Sequence, residues 1–193
     1  MKIITLILSI GFLLLLSNAL KAQYKYEREY RIKSEMIPQS AQAFIDSIGP
    51  DSRIKWYKEI SLDAVSIEAK FKHNKKKFSV EFDTLGILQD VEFIIESSEI
   101  PPVVFNKIEQ KLDSLYEKWK FQKIQIHYSG SHSDILTSIH KNEPGNAVKV
   151  YFEIVLKGKN PGNTQEYEIT FNAQGEMQHI QMIIQDEADH LEY

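Results

Sequence analysis

Phe78-Ser-Val-Glu-Phe-Asp-Thr-Leu-Gly-Ile-Leu-Gln-Asp-Val-Glu-Phe-Ile-Ile95 reads without a gap onto Tyr167-Glu-Ile-Thr-Phe-Asn-Ala-Gln-Gly-Glu-Met-Gln-His-Ile-Gln-Met-Ile-Ile184. Phe82, Gly86, Gln89, Ile94 and Ile95 recur as Phe171, Gly175, Gln178, Ile183 and Ile184. Within each copy apolar side chains alternate with polar ones: Phe78, Val80, Phe82 and then Val91, Phe93, Ile95; Tyr167, Ile169, Phe171 and then Ile180, Met182, Ile184. A period of two is the pattern of a strand with one buried and one wet face. Asp83 to Gly86 and Asn172 to Gly175 read as the hairpin turns between them, with glycine accepting a positive φ.

Working outward, the match extends to the beginnings of both halves. Ile37-Pro38 recurs as Ile100-Pro101 and Lys55-Trp56 as Lys118-Trp119, both at a spacing of 63 residues. Each Pro sits at a helix start, where its missing N–H costs nothing. Ala41, Phe44, Ile45 and Ile48 then fall on one helical face, as do Val104, Phe105, Ile108, Leu112 and Leu115. Gly49-Pro50 stops the first helix. Further alternating runs lie at Val65 to Lys72 and Val148 to Leu156, with strands also expected at Trp56 to Ile60 and Lys120 to Tyr128. The expected fold is therefore α+β: two tandem repeats, each one helix packed on a roughly four-stranded antiparallel sheet.

Two segments break the symmetry. Tyr24, Tyr26, Tyr30 and Ile32 share one parity, so Gln23 to Ile32 reads equally as an extra strand or as a frayed terminus. Ser129 to Ala147 replaces a short turn with a long loop, in which Asp134 to His140 has room for one or two helical turns.

The first residues carry an address. Lys2 precedes an almost wholly apolar run from Ile3 to Leu16, and small residues follow at Ser17, Ala19 and Ala22. That is the layout of a secretory signal peptide, shorter than the ~20 residues of a membrane-spanning helix. Cleavage falls after Ala19 or Ala22. The division expected is signal peptide 1–22, first repeat 23–96, second repeat 97–185 and an acidic tail 186–193, with the product periplasmic or secreted. Cleavage after Ala22 removes Lys2 and Lys21 and takes the net charge from −4 to −6. An acidic chain lacks the basic face that nucleic-acid binding needs. Cysteine is absent, which excludes thiol catalysis, cysteine-ligated zinc and disulfides.

In layout, and in the hairpins Phe78 to Ile95 and Tyr167 to Ile184, the sequence resembles the PepSY-like family, called beta-lactamase-inhibitor-like for its tandem fold. The resemblance implies an envelope or secreted location and non-enzymatic protein binding, with inhibition of a secreted enzyme as the analogue. The disulfide-bonded inhibitors of that fold differ from this cysteine-free chain.

The residues themselves offer little chemistry. No Gly-x-Ser-x-Gly elbow occurs, and Ser131-His132-Ser133-Asp134 holds triad residue types only as chain neighbours, whereas a triad is a spatial arrangement. His127, His132 and His140, with Asp134 and Glu143 nearby, have ligand chemistry for zinc or copper, but no His-x-x-x-His sits on a helix and solvated loop histidines are the better reading. Lys72-His-Asn-Lys-Lys-Lys77 is the one basic run, suited to an anion or to a solvated turn whose lysines discourage edge pairing. Trp56 and Trp119 read as packing anchors or as exposed binding aromatics.

What remains is the wet face of the sheets: Glu68, Lys70, Glu81 and Glu92 in the first half; Tyr151, Glu153, Val155, Glu168 and Thr170 in the second. An aromatic and an aliphatic residue among charges suit a protein-binding surface. The expectation is a non-enzymatic module that binds another protein or peptide through that open face, at Glu68, Lys70 and the five residues of the second half. No catalytic residue, metal or cofactor is expected, and no membrane span after signal removal. The alternatives are a metal or small-ligand sensor using the histidine-containing loop 127–143, and a structural envelope component.

Overall fold

The computed structural model of the chain describes residues 23–184. The expected signal peptide and acidic tail lie outside them. In chain order the elements are β1 (Gln23–Lys25), β2 (Glu27–Arg31), a 3-10 turn (Ser34–Met36), α1 (Gln39–Ile48), β3 (Lys55–Ser61), β4 (Val65–His73), β5 (Lys76–Asp83), β6 (Leu88–Ile94), a second 3-10 turn (Ser97–Glu99), α2 (Pro102–Leu115), β7 (Lys118–Ser129), α3 (His132–Lys141), β8 (Lys149–Asn160), β9 (Asn163–Asn172) and β10 (Met177–Ile183).

The helices form where capping chemistry and apolar spacing agree. Pro38 and Pro101 occupy the N-cap positions of α1 and α2 with φ near −56° and −52°. Gly49 ends α1 at φ +75°. The inserted loop contains a full helix, α3, longer than its sequence suggests. Ser131 caps it by accepting from the Asp134 N–H, and Asn142 closes it in the left-handed conformation. Ile135 and Ile139 are buried, so packing beneath them stabilises a segment whose propensity alone is weak.

The two hairpins that opened the sequence reading share one hydrogen-bond pattern. Asp83 Oδ1 accepts from the N–H groups of Leu85 and Ile87; Asn172 Oδ1 accepts from Gln174 and Glu176. Gly86 and Gly175 follow at φ +82° and +78°. A Cβ on Gly86 would lie 2.6 Å from Pro38 Cβ, and one on Gly175 would lie 2.9 Å from the Val104 carbonyl. Each hairpin thus presses against the start of its helix, and only glycine satisfies both the dihedral and the approach.

The expected arrangement of two helix-on-four-strand repeats is not the one that forms. The described residues are mainly β, and ten strands among them make one nearly closed, barrel-like sheet in the order β1-β10-β9-β8-β7-β6-β5-β4-β3-β2. β6 pairs with β7 from Val91↔Tyr128 to Ile94↔Gln125, carrying the sheet across the middle of the chain. A strongly twisted sheet of this width curls, and the N-terminal segment meets both of its edges. β2 lies antiparallel on β3, and β1, separated from β2 by Tyr26 alone, lies parallel on β10 through Gln23↔Gln181, Tyr24↔Met182 and Lys25↔Ile183. The physical reason for the correction is edge satisfaction: a four-stranded unit leaves unpaired N–H and C=O groups on two borders and a small core. The continuous sheet pairs most of them.

One face of the sheet is covered by the helices. Phe71, Phe78, Val80, Phe82, Val91, Phe93, Phe152, Ile154, Leu156, Ile169 and Phe171 form a single buried core with Phe44, Ile45, Ile108, Leu112, Ile135 and Ile139. The opposite face is polar and turns inward. The two tryptophans do not have equivalent surroundings. Trp56 is buried against Phe82, whereas Trp119 is half-buried, stacks near Phe121 and donates to Asp113. A register shift between Phe121 and Lys123 in β7 switches the parity of that strand, so Trp119 precedes the break and the buried Ile124 and Tyr128 follow it.

Candidate functional site

Alternation places the odd-one-out side chains of every strand on the inner face. From β3 to β9 its cross-strand neighbours include Tyr57↔Glu68, Glu68↔Glu81, Ser79↔Glu92, Glu92↔His127, His127↔Tyr151, Gln125↔Glu153, Glu153↔Thr170 and Val155↔Glu168. All seven expected binding residues therefore share this face. They do not form one cluster, and the face is not an open one: Glu68 and Glu168 are 9% and 7% exposed.

Three charge clusters organise it. In the first, Lys70 lies 2.6 Å from Glu29 and 3.0 Å from Glu68, and Ser79 donates to the other Glu68 oxygen. Burial raises the Glu68 carboxyl above its usual range, with Lys70 and Ser79 opposing. Glu59 joins this group with no ion pair of its own among the described residues, and only the charge of Lys25 draws it down. Burial, then the charges of Glu27, Glu81 and Glu68, push it up to about 8.

The second cluster surrounds His127, which sits in β7 rather than in the inserted loop. Its Nδ1 is 3.4 Å from Glu92 and 3.4 Å from Glu153, its ring meets Tyr151 edge-on at 5.6 Å, and Gln125 donates to Glu92 at 2.7 Å. Burial alone would lower its pKa, but hydrogen bonds to Glu153 and Glu92 and the nearby carboxylate charges outweigh that and raise it to about 10. Asp90 is pushed up to about 8, chiefly by burial, against the pull of His127.

The third cluster pins the sheet's seam. Lys25 of β1 holds both oxygens of Glu168 at 2.8 and 2.9 Å and also pairs with Glu27 at 3.0 Å. Burial would depress Lys25, but the two carboxylates keep it above its ordinary value.

Two triads have donor atoms within 4.8 Å of one another: Asp90, Glu92, His127 and Glu29, Glu59, Glu68. In the first, His127 Nδ1 lies 3.4 Å from a Glu92 oxygen. The histidines of the inserted loop do not converge. His132 packs on Phe44 at 5.1 Å and His140 approaches the Ser47 carbonyl at 3.2 Å, both on the helical side.

A cavity of about 480 Å³ opens on the inner face, lined by charged side chains that include Glu59, Glu68, Lys70, Glu81, Glu92 and Lys123. Of the expected binding residues, Glu68 and Lys70 line it; the five on β8 and β9 continue the same face beyond it. Sequence reasoning missed Lys25, Glu29, Glu59 and Asp90 as site residues. Their strand parity matches that of Glu68 and was the signal that could have found them. Among the described residues, no helix is long and apolar enough to cross a membrane.

No family model matches the sequence, and no curated protein matches it. Solved structures match in fold. A protein from Bacteroides eggerthii described as periplasmic superposes with TM-score 0.50 at 20% identity, over 75% of this chain and 88% of that one. A DUF2874 family protein from Bacteroides ovatus superposes with TM-score 0.51 at 16% identity, over 80% and 93%. A BLIP-like protein from Bacteroides fragilis reaches TM-score 0.49 at 18% identity, over 80% and 92%. The first two establish a shared fold.

Proposed function

We propose that this chain is an exported, non-enzymatic binding module, and that the polar inner face with its cavity is where it binds. The carrying observation is the asymmetry of the sheet. One face is sealed by three helices, while the other keeps a cavity of about 480 Å³, within the size range of ligand pockets. The export address agrees with the periplasmic description of the similar Bacteroides eggerthii structure. The beta-lactamase-inhibitor-like resemblance of the sequence supports a protein or peptide as the bound species. Tyr151, Glu153, Val155 and Thr170 extend the binding face. Glu68, Glu168 and Lys70 hold its wall.

The test is site-specific photo-crosslinking in the native envelope. A photo-reactive residue replacing Ser52, on the cavity wall, is expected to trap a partner, whereas one replacing Lys111, on α2, is not. Tyr151→Asp/Val155→Asp is expected to lower the yield at position 52. No adduct at position 52, or equal adducts at both positions, contradicts the reading.

A further inference from the structure

We propose that the mouth of the cavity is the docking site for an acidic peptide segment of the partner. This rests on the binding reading above and names the chemistry of what is bound. Arg53, Lys55, Lys72, Lys77 and Lys123 all line the cavity and all are exposed. Among the described residues none of the five forms an ion pair. In the ladder Lys72 lies directly opposite Lys77, and Lys55 directly opposite Lys70. Like charges in opposed positions destabilise a sheet.

The deeper cations behave differently. Lys25 is matched by Glu168 and Glu27, Lys70 by Glu29 and Glu68, and His127 by Glu92 and Glu153. Lys76, in the same basic run but on the other face, pairs with Glu99 at 2.6 Å. Among the cations that line the cavity, the unpaired ones thus stand at the rim. Glu68 and Glu81, the carboxylates on the same strands, lie four residues from Lys72 and Lys77. That is ~13 Å along a strand, too far for an ion pair.

Two features narrow the ligand. The acidic wall repels any anion that passes the rim, so the bound groups stay at the mouth. Lys55, Lys72 and Lys77 stand on the adjacent strands β3, β4 and β5, ~4.8 Å apart, with Arg53 just before β3 and Lys123 beyond β6 on β7, which suits several carboxylates spread along an extended chain. A nucleic-acid backbone would bring its charges against the acidic interior of a chain whose net charge is already −4.

The probe is labelled hexaglutamate, followed by fluorescence anisotropy at low salt. The intact protein is expected to bind it, with affinity falling as salt rises. Lys72→Glu/Lys77→Glu is expected to weaken binding by about tenfold or more. Lys111→Glu/Lys141→Glu, the same charge change on the helices, is expected to alter it by less than about twofold. Lys72→Gln/Lys77→Gln, milder for folding, is expected to weaken it by about fivefold. Lack of binding by the intact protein, equal loss in the rim and helix variants, or equal binding of a twelve-residue (~12) oligothymidylate overturns the proposal. Crosslinking at position 52 without hexaglutamate binding would remove this inference and leave the binding reading intact.

Discussion

The two faces of one sheet, built from the same strands, are held by different physics. On the helix-covered face Phe82 and Phe171 are wholly buried among apolar neighbours, and burial of apolar area stabilises each. On the inner face Glu68, Glu92, His127 and Glu168 are buried or half-buried as ions in paired clusters. Such pairs gain less than burial of equivalent apolar groups, because desolvation offsets the attraction. A sheet with a polar interior is thus stabilised from its outside. The inner face is free to be specified by binding rather than by folding.

That contrast predicts a hierarchy. Phe82→Ala and Phe171→Ala should each cost about 3–5 kcal/mol in urea unfolding; equal, small losses would mean the helices do not seal that face. Next come the glycines. Gly86→Ala combines a φ of +82° with contact against Pro38, and should cost about 1–3 kcal/mol. Gly49→Ala, at φ +75° with nothing nearby, should lie at the lower end of that range, about 1 kcal/mol. If the two cost the same, the hairpin does not press on α1.

On the inner face, Lys25→Met removes the ion pair at the seam and leaves Glu168 buried. Loss of a charge-assisted hydrogen bond of this kind costs about 1.5–3 kcal/mol, concentrated locally. Amide exchange should accelerate at Gln181 to Ile183 while the core of β4 and β5 stays protected. Uniform acceleration would show that the seam is not a separate unit.

The most gradual effect is pH dependence. His127 is raised from 6.5 to about 10, so it binds more proton folded than unfolded between those values. Its stabilisation is present below pH 6.5 and is lost as pH rises through 10. Asp90, raised from 3.8 to about 8, and Glu59, raised from 4.5 to about 8, act with the same sign over their own windows. Thermal midpoints should therefore decline from pH 5 to pH 10, and His127→Gln should flatten the upper half of that decline. A midpoint that rises over this range would contradict the assigned clusters.

Much of the local structure was legible because it is written in side chains. The stripe Ala41, Phe44, Ile45, Ile48 and the alternation from Phe78 to Phe82 each report their element directly, and Asp83 and Asn172 announce their turns. The closure of the sheet was not legible. β1 contributes three residues paired through backbone groups, and backbone hydrogen bonds leave no mark on composition. The register shift in β7 between Phe121 and Lys123 was not legible either, because nothing in the residue pattern announces it. The polar face was legible as a set of residues, including Glu68, Lys70, Tyr151 and Glu153. That it turns inward was not, because alternation distinguishes two faces without saying which is enclosed.

The central claim is that residues 23–31 hold both borders of a single sheet at once. Nuclear Overhauser contacts on labelled protein test it most directly. The account predicts backbone cross-peaks from Tyr24 to Met182 and its neighbours together with cross-peaks from Arg28 to Ile60, both at full intensity in the same sample. Contacts to β3 without contacts to β10 would leave the sheet open and its polar face exposed, and would contradict it.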